Sequence, residues 1–358
     1  MGVMHFHKLA IRDIGRPTRD SVIITFEIPE ELKTEFQYLA GQYLTIRHTI
    51  GGESLRRSYS ICTAPSENQV SIAVKQIEGG RFSTFANHDL RIGDKLEVLP
   101  PAGNFIIKET NRNYVFFAAG SGITPIMAQI KHLLFQHPST HITLIYGNRN
   151  VASIIFREEL ESLKNKYMDR LAIHHIFTRE KVGIPLLFGR IDKKKCMDMC
   201  KFLIDVHTAD AFLLCGPNEM IFDVKEALLE LNVPAEKIHF ELFNTDGIQS
   251  NNPAVNALTE TEKEKECDVT IQIDGDIFEF SLAYGGQNML DAAIACGADL
   301  PYACKGGVCS TCKAKITEGD VIMDLNYALE PDELNAGYVL LCQTHPRSPQ
   351  VYVDFDQK

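Results

Sequence analysis

Four cysteines in the last quarter of the chain have the spacing of ligands to an iron–sulfur cluster. Cys304, Cys309 and Cys312 follow a C-x4-C-x2-C pattern, and Cys342 comes thirty residues after the third. Thiolates are soft anionic ligands, and this spacing is typical of a 2Fe–2S cluster held by four of them. A structural zinc site usually has two C-x2-C pairs, whereas this pattern contains one. The sequence therefore predicts a centre that transfers electrons one at a time.

Two short motifs in the first hundred residues offer groups suited to a ligand with phosphates and a flat ring. In Arg57-Ser-Tyr59-Ser60 the arginine can pair with a pyrophosphate, and the tyrosine on the same strand face can pack on a ring. The serine can hydrogen-bond a ring nitrogen. The Gly-rich turn at 79–83 precedes a helix predicted over 82–88, whose first amides can bind phosphate. Taken alone, each motif also fits an ordinary strand or turn.

Two further motifs follow predicted buried strands in the middle of the chain. Gly120-Ser-Gly-Ile-Thr-Pro opens a helix, which is the context of a nucleotide-phosphate loop, although the third glycine of the usual dinucleotide fingerprint is missing. Cys215-Gly216 ends another strand, where ligands bind in open α/β sheets. A buried cysteine before a turn is the simpler interpretation of that motif in isolation.

The elements that must position these motifs divide the chain into three parts. Short β-branched runs near 22–26, 43–46, 70–74 and 95–99 predict an antiparallel β-barrel domain over residues 1–109. Strands and helices then alternate, which predicts an α/β parallel-sheet domain over 110–245. A polar stretch at 246–264 is predicted to be a linker. The last domain, 265–358, is predicted to be α+β, with a helix capped by Asn288 and strands ending at Cys342 and Phe355.

The net charge of −11 is concentrated at the C-terminal end. Residues 265–358 contain fifteen Asp and Glu against six Lys and Arg, which places −9 there. Nucleic acid is therefore not expected as a partner. The acidic surface either steers a basic protein partner or only maintains solubility.

The sequence also predicts a cytoplasmic protein with no membrane segment. It contains no run of eighteen apolar residues, and its N-terminus lacks the apolar core of a signal peptide. Ten cysteines in a chain of this length are not the pattern of a disulfide framework. Cys196 and Cys200, one helical turn apart, are interpreted as ordinary thiols.

In this order the motifs resemble the ferredoxin–NADP reductase superfamily, with a plant-type ferredoxin domain of β-grasp fold at the C-terminus. The resemblance covers the whole chain and is closest to reductases that serve multicomponent oxygenases. It implies FAD, favoured over FMN by the Gly-rich turn, a 2Fe–2S cluster and NADPH, with NADH possible. It also implies an oxygenase component as protein partner.

The resemblance assigns roles to individual positions of this chain. Contacts to the flavin fall on Arg57, Tyr59, Ser60, Val74, Lys75, Gly80, Arg81, Phe82 and Ser83. Contacts to the nicotinamide nucleotide fall on Gly120, Gly122, Thr124, Pro125, Cys215 and Gly216. Ser60, Cys215 and Glu241 are the implied catalytic residues, and Phe243 would pack on the flavin where plant-type reductases end with Tyr. Arg149, Thr178 and Arg179 lie at strand ends where relatives bind the 2′-phosphate, which favours NADPH.

The predicted function is an NADPH-dependent reductase that splits a hydride into single electrons. These would pass from FAD to the cluster and on to a di-iron oxygenase acting on an aryl-CoA thioester in aromatic catabolism. A Rieske, cytochrome P450 or hybrid-cluster protein is an alternative acceptor. Another alternative is a ferredoxin-type carrier whose flavin module is not catalytic.

Overall fold

The structure is a computed structural model and describes residues 5–108, 112–244 and 259–357. It contains two compact units. One comprises His7–Pro101 and Phe105–Leu242, and the other is formed mainly by the residues from Phe243 onward. The predicted boundary between residues 109 and 110 lies outside the described residues.

The first unit begins with an antiparallel barrel. Its elements are β1 (His7–Thr18), β2 (Ser21–Glu27), β3 (Tyr43–Ile50), β4 (Glu53–Ser60), β5 (Val70–Lys75), β6 (Lys95–Val98) and α1 (Arg81–His88). The strands are ordered β4-β3-β6-β1-β2-β5, and a bridge between Ile61 and Ile72 joins the two outer strands. Alternate residues of β2 point into the barrel, where Val22, Ile24 and Phe26 are at most 1% exposed. The predicted antiparallel barrel is confirmed, including strands at all four expected places.

A parallel sheet completes the first unit. Its elements are β7 (Asn113–Ala119), β8 (His141–Asn148), β9 (Leu171–Phe177), β10 (Ala211–Cys215), β11 (Ile238–Glu241), α2 (Ile123–Gln136), α3 (Arg157–Lys166), α4 (Lys193–Phe202) and α5 (Asn218–Glu230). The strands are ordered β11-β10-β7-β8-β9, and all neighbours are parallel. The chain first adds β8 and β9 on one side of β7 and then β10 and β11 on the other side, so the order of addition reverses at β7. Such a reversal leaves a crevice at the carboxyl ends of the strands, where open α/β sheets bind ligands.

The barrel and the parallel sheet share one core. Cys62, Ala73 and Phe105 come from the barrel side and pack in the same cluster as Phe116 and Leu144 of the sheet.

Lys131 of α2 reinforces this junction. Its side chain is 3% exposed, and Nζ lies 2.8 Å from Glu67 Oε2 and 3.0 Å from Glu159 Oε1. Burial opposes the charge on Lys131, but the two carboxylates outweigh it and raise the pKa. One carboxylate comes from the barrel side and the other from α3, so a single buried cation joins the two halves.

The second unit is an α+β domain. Its elements are β12 (Glu266–Ile273), β13 (Asp276–Ala283), β14 (Lys313–Glu318), β15 (Val321–Met323), β16 (Tyr338–Leu340), β17 (Thr344–Pro346), β18 (Gln350–Asp354), α6 (Glu260–Lys263), α7 (Met289–Ala295) and α8 (Pro331–Asn335). Five strands form a mixed sheet in the order β13-β12-β18-β14-β16, in which β12 and β18 are parallel. Asn288 caps α7 by accepting a hydrogen bond from the Asp291 amide at 2.9 Å, as predicted.

Some sequence predictions differ from the structure. Cys342 was expected at the end of a strand, but β16 stops at Leu340 and Cys342 lies in a 3-10 turn over Leu341–Gln343. Of the predicted linker, residues 246–258 lie outside the described residues, and α6 forms within the remainder. Across the described part of the chain, no helix has the length and apolar character needed to span a membrane.

Replacing Lys131 with Met should destabilise the first unit by about 3 kcal/mol or more, because two carboxylates would face each other without a cation. The matched control is Lys193→Met, since Lys193 also pairs with two carboxylates, Glu226 and Glu230, but at the surface. Urea unfolding, monitored by the flavin fluorescence that appears on release, measures the free energy of unfolding of both variants. Equal losses in the two variants would contradict a special role for the buried cation.

Candidate functional site

Strand β4 positions the side chains of the predicted flavin motif. Alternation along the strand places Arg57 and Tyr59 on one face, while Ser60 is 4% exposed at the end of the strand. The Tyr59 ring lies 5.6 Å from the Phe82 ring, centroid to centroid. Arg57 is exposed. The arrangement gives an exposed cation beside an aromatic surface, which suits a ligand with a pyrophosphate and a flat ring.

The Gly-rich turn leads into α1 with tight local packing. A Cβ at Gly80 would lie 2.4 Å from Ser83 Oγ, so this position has no space for a side chain. Ser83 Oγ accepts a hydrogen bond from the Ile77 amide and donates to the Gly80 carbonyl, each at 3.2 Å. The remaining first-turn amides of α1 are the groups that could receive a phosphate.

Other members of the predicted flavin set have partners within the protein. The Arg81 guanidinium bonds Glu53 and the Ile50 carbonyl, and Phe82 is a core residue at 2% exposure. Val74 is fully buried, and Lys75 Nζ lies 3.7 Å from Asp20 Oδ2. Phosphate contacts by Arg81 and Lys75 therefore stay predictions.

The predicted nucleotide loop packs backbone against backbone on the Cys215 turn. The turn Gly120–Gly122 follows β7 directly and continues into α2. A Cβ at Gly122 would lie 2.1 Å from the Cys215 carbonyl oxygen, and one at Gly216 would lie 3.1 Å from the Ala119 amide nitrogen. Thr124 Oγ1 donates to the Ser121 carbonyl at 3.0 Å, and Pro125 occupies the first turn of the helix. The amides at the start of α2 thus fit a phosphate group at the crevice of the sheet.

Ser60, Cys215 and Glu241 meet although they come from three separate elements. Cys215 and Glu241 are paired residues at the ends of β10 and β11, and Ser60 Oγ donates to Glu241 Oε2 at 3.2 Å. Burial raises the pKa of Glu241 to about 8, against the lowering effect of the Ser60 hydrogen bond. Burial, and then Glu241, raise the pKa of Cys215. Both groups therefore hold their protons at neutral pH.

Phe243 lies two residues beyond Glu241, but it belongs to the other compact unit. Its side chain is 40% exposed. Its predicted packing on a flavin ring stays a prediction.

Arg149 and Arg179 lie side by side at the ends of β8 and β9. The Arg179 amide donates to the Arg149 carbonyl at 2.8 Å, and both residues are exposed. The adjacent Glu180 carboxylate accepts a hydrogen bond from the Val151 amide at 2.9 Å. Thr178 is part-buried beside them and donates its amide to the Asn148 carbonyl at 3.0 Å. Arginines at two adjacent strand ends are residue types suited to a phosphate.

The four predicted cluster ligands converge in the second unit. Cys309 Sγ and Cys304 Sγ are 3.1 Å apart, and the Cys342 thiol contacts those of Cys304 and Cys312. Hydrogen bonds from Cys309 and Cys342 lower the pKa of Cys304, and the Gly306 amide also donates to its sulfur at 3.3 Å. No group of three His, Cys, Asp or Glu in the described residues is arranged for a single metal ion. Four cysteine sulfurs are the ligand set that a 2Fe–2S cluster requires.

Sequence reasoning missed the side chains that hold this loop together. Gln343 Nε2 donates to the Lys305 carbonyl at 3.1 Å and to the Cys342 carbonyl at 2.9 Å, joining the two parts of the ligand set. Lys305, with φ of +51°, extends Nζ to Asp291 Oδ1 at 2.6 Å. The signal available in the sequence was their adjacency to Cys304 and Cys342.

Comparisons with known proteins agree with this geometry. Three family models match the chain: an oxidoreductase FAD-binding domain over 9–107, an oxidoreductase NAD-binding domain over 116–226, and a 2Fe-2S iron-sulfur cluster binding domain over 271–347. The crystal structure of phthalate dioxygenase reductase is similar in fold, with a TM-score of 0.58 and 23% identity over 98% of each chain. An intact type IV self-sufficient cytochrome P450 monooxygenase has a TM-score of 0.71 at 20% identity; the match covers 97% of this chain and 41% of that one.

Two curated relatives match over nearly their whole length. One subunit of the 1,2-phenylacetyl-CoA epoxidase of Escherichia coli (strain K12) is 45% identical, over 99% of this chain and 98% of the relative. The ferredoxin reductase component of 3-ketosteroid-9-alpha-monooxygenase from Rhodococcus rhodochrous is 32% identical, over 97% and 96%. The predicted FAD, nicotinamide nucleotide and 2Fe–2S modules are thus confirmed, and the chain belongs to the family of oxygenase reductase components that join an FAD-binding, an NAD-binding and a 2Fe–2S domain.

Proposed function

We propose that this chain is the reductase component of a di-iron oxygenase that epoxidises phenylacetyl-CoA, and that it takes its electrons from NADPH. The observation that carries the proposal is that Ser60, Cys215 and Glu241 meet at one sheet edge in a chain that also gathers four cysteine sulfurs. The identity of 45% with the Escherichia coli epoxidase component supports the choice of oxygenase.

The cofactors supply the redox chemistry, since FAD accepts a hydride and the cluster accepts single electrons. The protein supplies binding and orientation. Arg57, Tyr59 and the first turn of α1 hold the flavin, and the start of α2 holds the nucleotide phosphates. Cys215, which is uncharged at neutral pH, lies at the strand end beside which the nicotinamide would bind.

Glu241 and Ser60 are placed to hold and transfer a proton at the same edge of the parallel sheet. With a pKa of about 8, Glu241 is mostly protonated at neutral pH and can release its proton without a large change in conditions. Ser60 is the last residue of the barrel strand β4, and its Oγ donates to Glu241 Oε2. The hydroxyl can therefore relay a proton between the flavin side and the carboxyl group.

The paired arginines support NADPH as the electron donor. Arg149 and Arg179 present two positive charges where an adenosine 2′-phosphate would add two negative ones. The nearby carboxylate of Glu180 accepts a hydrogen bond from the Val151 amide through Oε2, so part of its acceptor capacity is already used. Thr178 would add its hydroxyl to the same phosphate.

The charge distribution supports a basic docking surface on the oxygenase. Of the net charge of −11, −9 belongs to residues 265–358, which contain the cluster ligands. Complementary charge speeds protein association and orients the partners. All ten cysteines are free, which fits the reducing environment of the cytoplasm.

Replacing Cys309 with Ser should separate the two halves of the electron pathway. The variant should lose NADPH-driven product formation by the oxygenase, because a ligand of the cluster is gone. Ferricyanide reduction should persist, since it needs only the flavin. The matched control is Cys296→Ser, an exposed free cysteine of the same domain.

The choice of acceptor is tested in the same assay by supplying either the phenylacetyl-CoA epoxidase or the 3-ketosteroid monooxygenase oxygenase component. Faster turnover with the steroid oxygenase would overturn the proposed acceptor. Full oxygenase turnover by Cys309→Ser would overturn the pathway itself.

Replacing Arg179 with Ala should raise the KM for NADPH about 10- to 100-fold and leave the KM for NADH nearly unchanged. The reason is that a charge-assisted hydrogen bond contributes about 1.5–3 kcal/mol, and only NADPH has the 2′-phosphate. Ferricyanide reduction measures both constants. Arg157→Ala is the control, because Arg157 forms an exposed ion pair with Glu161 on α3. A wild-type enzyme that prefers NADH would contradict the assignment.

Replacing Glu241 with Gln should change how stability depends on pH. The pKa of Glu241 is raised in the folded state, from 4.5 to about 8, so the folded protein loses stability as pH rises through this window. The variant, which has no charge to bury, should gain on the order of 3 kcal/mol over wild type at pH 9 and nothing at pH 4. Thermal unfolding across pH measures the difference. Parallel profiles for the two proteins would mean that Glu241 titrates normally.

A further inference from the structure

Gln343 follows the fourth cluster cysteine, and its side-chain amide reaches both parts of the cysteine set. Nε2 donates to the Lys305 carbonyl at 3.1 Å and to the Cys342 carbonyl at 2.9 Å, and it lies 3.8 Å from Cys342 Sγ. Because sulfur is larger than oxygen, this last distance is that of a long N–H···S contact. The amide nitrogen therefore faces one acceptor next to Cys304 and two acceptors that belong to Cys342 itself.

The surroundings of Gln343 fix its side chain in this place. Gln343 ends the 3-10 turn that follows β16, and its carbonyl accepts the Asp324 amide at 2.8 Å. Gly307, in the cysteine loop, has φ of +74°, and a Cβ there would lie 3.1 Å from Gln343 Cγ. Glycine thus suits both the backbone conformation of the loop and the close approach of the glutamine. The amide is held between the loop and the turn.

Packing alone does not explain why this side chain is an amide. Methionine has a similar length and would fill the same space without a hydrogen-bond donor. A donor matters because Cys342, as a cluster ligand, is a thiolate, and a charged acceptor forms the stronger hydrogen bond. Such a bond offsets part of the negative charge on the ligand. It therefore favours the reduced form of a cluster, which carries one more electron.

We propose that Gln343 is a positioning residue for the 2Fe–2S cluster: its amide holds Cys342 against the Cys304 loop and donates to the Cys342 sulfur, which raises the reduction potential of the cluster. The inference rests on the part of the proposed function that makes the four cysteines the cluster ligands. It does not depend on the flavin, the nucleotide or the oxygenase.

Replacing Gln343 with Met removes the donor and keeps the length of the side chain. We expect the equilibrium constant for reduction of the cluster, against a fixed reference couple, to fall about 3- to 10-fold, which corresponds to a potential lower by roughly 30 to 60 mV. Titration of the full chain with dithionite, followed by the EPR signal of the reduced cluster, measures this potential.

The matched control is Gln272→Met, a substitution of the same type in the same domain. Gln272 lies on β12 and is also partly buried, and its amide bonds the Asp356 carboxylate at 3.2 Å and the Tyr352 hydroxyl at 2.6 Å. The control loses a comparable pair of hydrogen bonds away from the cysteine loop, so its melting temperature should fall while its potential stays at the wild-type value. A purely structural role for Gln343 would give the same pattern.

A second measurement on the wild-type protein is independent of how well the Met variant assembles its cluster. With ¹⁵N in the glutamine side chains, pulsed EPR of the reduced cluster should show a nitrogen coupling. The coupling should be kept in Gln272→Met and absent from Gln343→Met.

Three results would overturn the inference. They are a wild-type potential in cluster-containing Gln343→Met, an equal shift of potential in Gln272→Met, and a wild-type spectrum without the ¹⁵N coupling. Failure of the proposed function looks different. If the four cysteines were not the ligands, the reduced wild-type protein would give no 2Fe–2S signal, and if only the electron pathway were wrong, dithionite would reduce the cluster but NADPH would not.

Discussion

The buried charge on Lys131 is the constraint on which the first unit depends. The predicted flavin residues of β4 and α1 belong to the barrel and the predicted nucleotide residues to the parallel sheet, so the proposed hydride transfer requires that the two halves keep a fixed relation. Lys131 receives one carboxylate from each side, Glu67 and Glu159, and a buried cation that has lost either partner is costly. The same helix begins at the phosphate loop. Movement of that helix would therefore disturb the junction and the nucleotide site together.

The contact between Ser60 and Glu241 depends on this junction. The two residues are 181 positions apart in the chain, one in the barrel and one at the last strand of the parallel sheet. Their hydrogen bond forms only when barrel and sheet are correctly packed. Folding of the first unit therefore brings together the two groups that are proposed to handle a proton.

The parts of the site predicted from sequence were those encoded over short distances. The grouping of the four cysteines, the turn from β7 into α2 and the Asn288 cap each depend on a few neighbouring residues, and the structure contains all three; the ligand roles stay predictions. The end of β16 was misjudged, because the apolar run Tyr338–Leu341 does not show that Cys342 must turn out of the strand. Pairing of Arg81 with Glu53 was not predicted either, since it depends on how the β3–β4 hairpin lies beside α1. The pairing of buried Lys131 with Glu67 and Glu159 likewise has no local pattern.

Several polar groups near the proposed ligand sites are buried at a cost to stability. Glu241 is half-buried with a raised pKa. Asn87, which bonds Ser83 behind the Gly-rich turn, has a buried oxygen without a partner. Proteins tolerate such departures from ideal packing where function requires them.

The cluster-binding loop is not equally covered on all sides. Cys309, Cys312 and Cys342 are at most 5% exposed, whereas Cys304 is only half-buried, with Lys305 exposed beside it. An electron leaving the predicted cluster would therefore have its shortest path to solvent across the Cys304 edge. The side chains around this edge, such as Tyr302 and Lys305, are then the ones that a docked acceptor would contact first, and substitutions there would change the contact with the acceptor without changing the four cysteine ligands.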